Sequence, residues 1–174
     1  MDKTSDKKTA MNQKELDLII TAHALWLIDP SKGHQADLHR TDCRGLDFHD
    51  ANLRKTDCRE ADFRHADLRN ANFFGADCRD ANFFGLVFHD VNLFGADCRE
   101  ADFRHADCHN ANFRYASLRW ADFREADLYG ADFYKADCRD ADFRGTDLRY
   151  SNFFGTDCRG AIYIGITDHV LNVE

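Results

Sequence analysis

The sequence predicts an all-β solenoid: a four-sided parallel β-helix of about six coils with an N-terminal capping α-helix. Three observations predict it. A five-residue unit recurs twenty-five times without a gap from Ala36 to Gly160. Within each unit a small residue and a large apolar one stand two positions apart, with a polar residue between them. The large residue then varies with a period of twenty.

The unit is plain in three successive copies. Ala61, Asp62, Phe63, Arg64 and His65 are followed by Ala66, Asp67, Leu68, Arg69 and Asn70, and then by Ala71, Asn72, Phe73, Phe74 and Gly75. A period of five fits neither a helix at 3.6 nor a strand at 2. On extended backbone, however, residues two apart point the same way, so Ala and the third residue (the centre) face inward and Asp or Asn faces outward. Each pentad is a short strand followed by a corner, and four corners close a coil of twenty residues.

That geometry requires centres twenty apart to share a wall. One column reads Cys43, Phe63, Phe83, Phe103, Phe123, Phe143, and the opposite one Leu53, Phe73, Leu93, Phe113, Phe133, Phe153. The columns between are leaner: Leu38, Cys58, Cys78, Cys98, Leu118, Cys138, Cys158, and Phe48, Leu68, Phe88, Cys108, Leu128, Leu148. Rings on two opposite walls and smaller groups on the other two fill a narrow interior without overfilling it. At the spacing of paired strands the tower would stand roughly 30 Å tall.

The pattern Ala, Asp or Asn, Leu or Phe, then two variable residues resembles the pentapeptide-repeat family over about 125 of the 174 residues. The resemblance implies a right-handed quadrilateral β-helix with Leu or Phe centres inside. It also implies a bacterial source, since the family is abundant in cyanobacteria and spread across bacteria. Cys at the centre departs from the strict pattern, conservatively in size and polarity. Leu46, Leu86 and Val91 stand where Ala is usual, so a bulge is expected there.

The ends need covers, because terminal coils expose unpaired strand edges. Residues 1–11 read as a disordered polar tail. Residues 12–35 read as a cap: Asn12 and Glu15 form a capping-box pattern, and Leu16, Ile19, Ile20, His23 and Leu27 recur at helical spacing beside Trp26. Asp29, Pro30 and Gly33 end that helix. Residues 161–174 lose the repeat and turn apolar. There Ile162, Tyr163, Ile164, Ile166, Val170 and Leu171 either close the last coil or pair with a second copy as a homodimer across a twofold axis. The resemblance supports the second option, since some members dimerise through this end.

The net charge of −8 argues against direct nucleic-acid binding and against an anionic membrane surface. No run of about 18 apolar residues and no signal-peptide pattern is seen, so the expected location is cytoplasmic. All seven Cys sit at centres, five on one wall. One thiol per coil neither converges on a metal nor brings sulfurs to bonding distance, and buried Cys acts as a small hydrophobe.

Outward positions carry the candidates for function. Arg59, Arg79, Arg99, Arg139 and Arg159 each follow an Asp by two residues, which reads as a self-neutralising surface rather than a phosphate track. One wall differs. Its fourth positions are Arg54, Phe74, Phe94, Arg114, Tyr134 and Phe154, beside a column that is Asn except at Asp132. Phe74, Phe94, Tyr134 and Phe154 form a candidate protein-binding face, the alternative being rings that merely stabilise the wall or lie under Arg side chains. No phosphate loop or nucleophile elbow is present, so no catalytic residue and no cofactor is expected. His49, His89 and His109 share a column, but adjacent coils supply only the pair His89 and His109, no third ligand is evident in the sequence, and no metal site is expected.

The expected role is therefore a non-enzymatic interaction or scaffold module whose face docks a protein. The resemblance adds an alternative: some pentapeptide-repeat proteins mimic DNA, bind DNA gyrase or related topoisomerases, and confer quinolone resistance. Charge density weighs against it. Residues 36–160 hold 24 Asp plus Glu against 18 Lys plus Arg, a net of −6. A DNA segment of roughly 30 Å carries about 18 phosphate charges.

Overall fold

The structure, a computed structural model, describes residues 8–163. Its unit is the corner. The carbonyl of every centre from Leu38 to Cys158 except Phe88 accepts the N–H of the next pentad's first residue, as in Ala81 N–H to Cys78 O at 3.1 Å. The fifth residue of all twenty-five pentads has positive φ, from Arg40 at 54° to Gly160 at 76°. Positive φ at the third turn residue alone is the signature of a type II turn. The outward Asp or Asn braces this turn: its Oδ1 accepts the N–H two residues on, as in Arg59 N–H to Asp57 at 3.1 Å and Phe74 N–H to Asn72 at 3.0 Å. That local bond is why short carboxylate or amide side chains fill the second position.

Coils pair in parallel between residues twenty apart, as in Asp57↔Asp77 and Asp77↔Asp97, so each turn of the coil holds four pentads. Each pentad contributes bonds of the kind Cys58 N–H to Asp77 O at 2.7 Å and Asp77 N–H to Thr56 O at 3.0 Å. Inside, the Phe columns stack: Phe83, Phe103 and Phe123 lie 4.9 and 4.7 Å apart, and Phe113, Phe133 and Phe153 lie 4.8 and 4.6 Å apart. Rings of opposite walls meet edge to face, Phe103 on Phe113 at 88°. Both geometries suit the aromatic quadrupole. The thiols are free and, Cys158 apart, buried. Burial pushes the Cys43 thiol up to about 12.

At the start of the chain the first coil has no coil beneath it, and other groups meet its open edge. Thr9–Ala10 (β1) pairs in parallel with Thr41–Asp42 (β2). Residues 8–11 therefore do not belong to a disordered tail, because the unpaired backbone of the first coil holds them. Gln13–Ile28 (α1) begins at Asn12, whose side chain and that of Glu15 make both bonds of a capping box. The Gln13 side-chain amide bonds both backbone groups of Asp47, at 3.0 and 2.8 Å, as a strand neighbour would. His23 is fully buried and accepts the Ala36 N–H at Nδ1, 3.0 Å away. This assigns its proton to Nε2, which donates to Arg54 O at 2.9 Å.

The ladder misses three rungs, all at one seam. Among the described residues, His65, Leu68 and Val87 are the N–H groups without their expected partners Phe84 O, Val87 O and Ala66 O. An opening of about 410 Å³ lies there, lined by His65, Ala66, Asp67, Arg69, Gly85, Leu86 and Val87. Leu86 is buried in a slot that Ala fills in the coils directly before and after it, and Val87 has no side-chain oxygen to brace its turn. Of the three positions where a bulge is expected, only Leu86 opens the ladder between coils, while Val91 loses just its corner bond to Phe88 O. The ladder bonds Asp67 N–H to Leu46 O and Asn112 N–H to Val91 O, both 2.9 Å, are intact.

At the far end the ladder continues past residue 160. Ile162 bridges Asp142, and Tyr163 takes the centre position, stacked on Phe143 at 5.5 Å. The repeat boundary expected at 160 is corrected to at least 163, because Ala161 and Tyr163 supply the small and large inward groups of another pentad. Ile164, Ile166, Val170 and Leu171 lie outside the described residues.

Candidate functional site

Outside the tower, the turn chemistry sorts the surface into two kinds. Where the second residue is Asp and the fourth Arg, the guanidinium folds back on its own turn. Arg79 Nε lies 2.8 Å from Asp77 Oδ1, and Nη2 lies 2.6 Å from Oδ2. Such bidentate pairs consume both charges locally. The Arg69 guanidinium holds the Asp67 carboxyl down to about 2, and Arg159 does the same for Asp157. The self-neutralising surface is thus built from single turns.

Where the second residue is Asn, the turn holds no carboxylate of its own to capture the fourth side chain, and Arg114 Nη1 reaches Asp132 Oδ2 of the next coil at 3.5 Å instead. Those positions carry Phe74, Phe84, Phe94 and Phe154, or the arginines Arg54 and Arg114. The Asn column bonds to itself: Asn92 Nδ2 to Asn72 Oδ1 at 3.1 Å, and Asn112 Nδ2 to Asn92 Oδ1 at 3.0 Å. Asn152 Nδ2 closes on Asp132 Oδ1 at 2.9 Å.

Along this column the rings form one continuous ladder. Phe74 stacks on Phe94 at 5.2 Å and 6°. Phe94 meets Tyr115 at 5.2 Å, Tyr115 meets Tyr134 at 5.6 Å, and Tyr134 stacks on Phe154 at 6.0 Å. All four aromatic residues singled out in the sequence are brought together. Tyr115 was not singled out, because it is the fifth residue of its pentad, one place beyond Arg114. It bridges the gap that Arg114 leaves. Cations flank the ladder: Arg54 lies 5.3 Å over Phe74, Arg114 lies 4.9 Å over Tyr134, and Lys135 Nζ lies 5.2 Å from the Tyr134 ring. The sequence signal that marks the arginines is an Arg that follows Asn instead of Asp. Phe74, Tyr115 and Phe154 are exposed, Phe94 and Tyr134 half-buried.

Of the candidate end residues, Ile162 is 45% exposed on the last described coil, where other second positions are mostly polar. Tyr163 is half-buried.

A second cluster departs from sequence reasoning. Asp107, on the coil of His109, lies between His89 and His109 and supplies the third ligand-type group that the sequence did not reveal. Its Oδ2 is 2.7 Å from His89 Nε2, and its Oδ1 contacts His109 Nδ1. This His89 nitrogen is shielded from solvent, and the ion-pair contact with Asp107 meets no strict hydrogen-bond geometry. The bond to Asp107 holds the His109 imidazole above its ordinary pKa.

Comparison with known proteins accounts for this construction. The family profile described as Pentapeptide repeats matches residues 34–70, 51–90, 92–130 and 111–149, in 8 copies. This chain belongs to the pentapeptide-repeat family. Solved structures similar to it include HetL, a pentapeptide repeat protein involved in heterocyst differentiation regulation from the cyanobacterium Nostoc sp. strain PCC 7120. The match is 26% identical with TM-score 0.47, covering 75% of this chain and 67% of HetL. Rfr23 from the cyanobacterium Cyanothece 51142 is 20% identical with TM-score 0.37, covering 62% of this chain and 64% of that one. Full-length QnrB1, a plasmid-mediated fluoroquinolone resistance protein, is 18% identical with TM-score 0.28, covering 75% and 90%. No curated protein sequence matches.

Proposed function

We propose that this protein is a non-enzymatic interaction module that docks a protein partner on its aromatic face. In this reading the tower is a right-handed quadrilateral β-helix of about six coils, α1 is its cap, and the module works in a bacterial cytoplasm. The observation that carries the reading is the unbroken ladder from Phe74 through Tyr115 to Phe154, flanked by Lys135 and by two arginines, Arg54 and Arg114, whose own turns hold Asn in place of a carboxylate. Stacked aromatics and Arg are the side chains that anchor protein interfaces, and a rigid ladder presents them at little entropic cost. A homodimer through the C-terminal end is the accompanying proposal, supported by the exposed Ile162.

A DNA-mimicking role toward gyrase is the weaker reading. A mimic needs uncompensated negative charge, and the Asp–Arg turns neutralise twelve of the 24 carboxylates of residues 36–160. The test is capture from host lysate by the full chain and by a folded Phe74→Ser, Phe94→Ser, Phe154→Ser variant. A protein retained only by the wild type supports the face. Identical retention by both, or none, refutes it. Strong inhibition of gyrase supercoiling by the pure protein would instead reverse the ranking of the two readings.

A further inference from the structure

On the wall after Leu68, Phe88 and Cys108, the fourth positions read His49, Arg69, His89, His109, Tyr129 and Arg149, and the second positions Asp47, Asp67, Val87, Asp107, Asp127 and Asp147. One carboxylate is missing, at Val87. His89 therefore has no acid in its own turn and reaches the next coil, so that the single Asp107 carboxylate faces two imidazoles.

We propose that His89 Nε2, the Asp107 carboxylate and His109 Nδ1 bind one divalent transition-metal ion of the zinc type. The three donor atoms lie within 4.8 Å of one another. Tetrahedral coordination at ordinary zinc distances needs them about 3.3 Å apart. The three side chains are between 36% and 42% exposed, so rotation about their own bonds accomplishes the adjustment. The backbone beneath them is fixed by the bridges Val87↔Asp107 and Asp107↔Asp127.

Two features point to a cation. The first is the His89 nitrogen, which is aimed at a carboxylate without making a hydrogen bond to it. A positive charge placed between the two satisfies both. The second is the outer carboxylate: His109 Nε2 faces Asp127 Oδ2 at 3.8 Å. A carboxylate behind a ligating imidazole fixes the proton on the far nitrogen and turns the near lone pair to the metal. Two imidazoles and one carboxylate suit Zn²⁺, Co²⁺ or Ni²⁺ and not Mg²⁺ or Ca²⁺, which take oxygen. Three protein ligands leave a fourth position for water or for a group from outside the chain. Binding displaces any proton held on the ligating nitrogens.

The experiment titrates the tag-free full chain with Co²⁺ and Zn²⁺ near neutral pH, by calorimetry and by Co²⁺ absorption. One equivalent should bind, with d–d bands and without thiolate charge transfer. The variant His89→Gln with His109→Gln should lose at least about tenfold in affinity, with an unchanged circular dichroism spectrum. Should the double variant be unstable, His89→Gln alone, which leaves the Asp107 turn intact, must show the same loss. Wild-type protein that takes up neither ion, binding with thiolate bands, or equal binding by the folded variants overturns the assignment. In that case the cluster is an imidazolium–carboxylate pair only.

Discussion

Replacing His23 by Leu tests what holds the start of the tower. The side chain is fully buried and bonds two backbone groups, the Ala36 N–H at 3.0 Å and the Arg54 carbonyl at 2.9 Å. Leucine fills much of the same volume but satisfies neither group. Each stranded buried group costs about 1–3 kcal/mol, and the extra apolar burial offsets about a third of the total, so a net loss of about 3 kcal/mol is expected. Urea denaturation near neutral pH measures it. A repeat array transmits stability between neighbours, so hydrogen exchange in the first coil should rise more than in the last. The pH dependence supplies a second signature. Burial lowers the His23 pKa below its ordinary 6.5, against the opposing bond to Arg54. The unfolded chain then binds more protons than the folded one. His23's contribution is complete above about pH 6.5 and is lost as pH falls through the folded pKa. The difference between wild type and His23→Leu should therefore shrink on acidification, while other groups cancel. A variant within about 0.5 kcal/mol of wild type, a typical surface effect, would refute the reasoning.

Further outcomes follow from the repeat itself. Phe103→Ala removes a fully buried ring stacked between Phe83 and Phe123, and should cost about 3–5 kcal/mol in the same denaturation assay. Lys55→Gly replaces a side chain held at φ 60° and should raise stability by up to about 1 kcal/mol, because the left-handed penalty exceeds glycine's extra entropy in the unfolded chain. A destabilised variant would show that the turn depends on more than φ. Asp67 and Asp157 are held at about 2 by their arginines, so their share of stability is present above their unfolded value of 3.8 and is lost as pH falls toward 2. Replacing Asp67 and Asp157 together with Asn should flatten thermal melts across that window. Amide exchange at His65, Leu68 and Val87 should outpace that at the bonded equivalents Glu60, Phe63 and Asn92, since the three have no partner across the seam.

Much of the architecture was legible because the repeat is strictly in phase. A residue's inward or outward direction depends only on its place in the pentad, and its wall only on its number modulo twenty, so Phe74, Phe94, Tyr134 and Phe154 fall in one column. Partners contributed by the next pentad or the next coil were less legible. Tyr115 joins the ring ladder from a fifth position because its corner turns it toward the gap above Phe94. Asp107 meets His89 because Val87 leaves that imidazole without its own acid. Both contacts join one column to its neighbour on the next coil.

The sequence by itself determined the repeat, the twenty-residue coil, the inner columns and the aromatic wall, since these follow from local alternation repeated without insertion. Only the tertiary structure decided which ends and seams hold. Whether Thr9–Ala10 finds an edge, whether the Gln13 amide substitutes for a strand neighbour, and whether Leu86 parts two coils depend on backbone groups that sequence-distant segments leave free or fill. Those are questions of hydrogen-bond satisfaction and packing volume, which pairwise spacing along the chain does not encode.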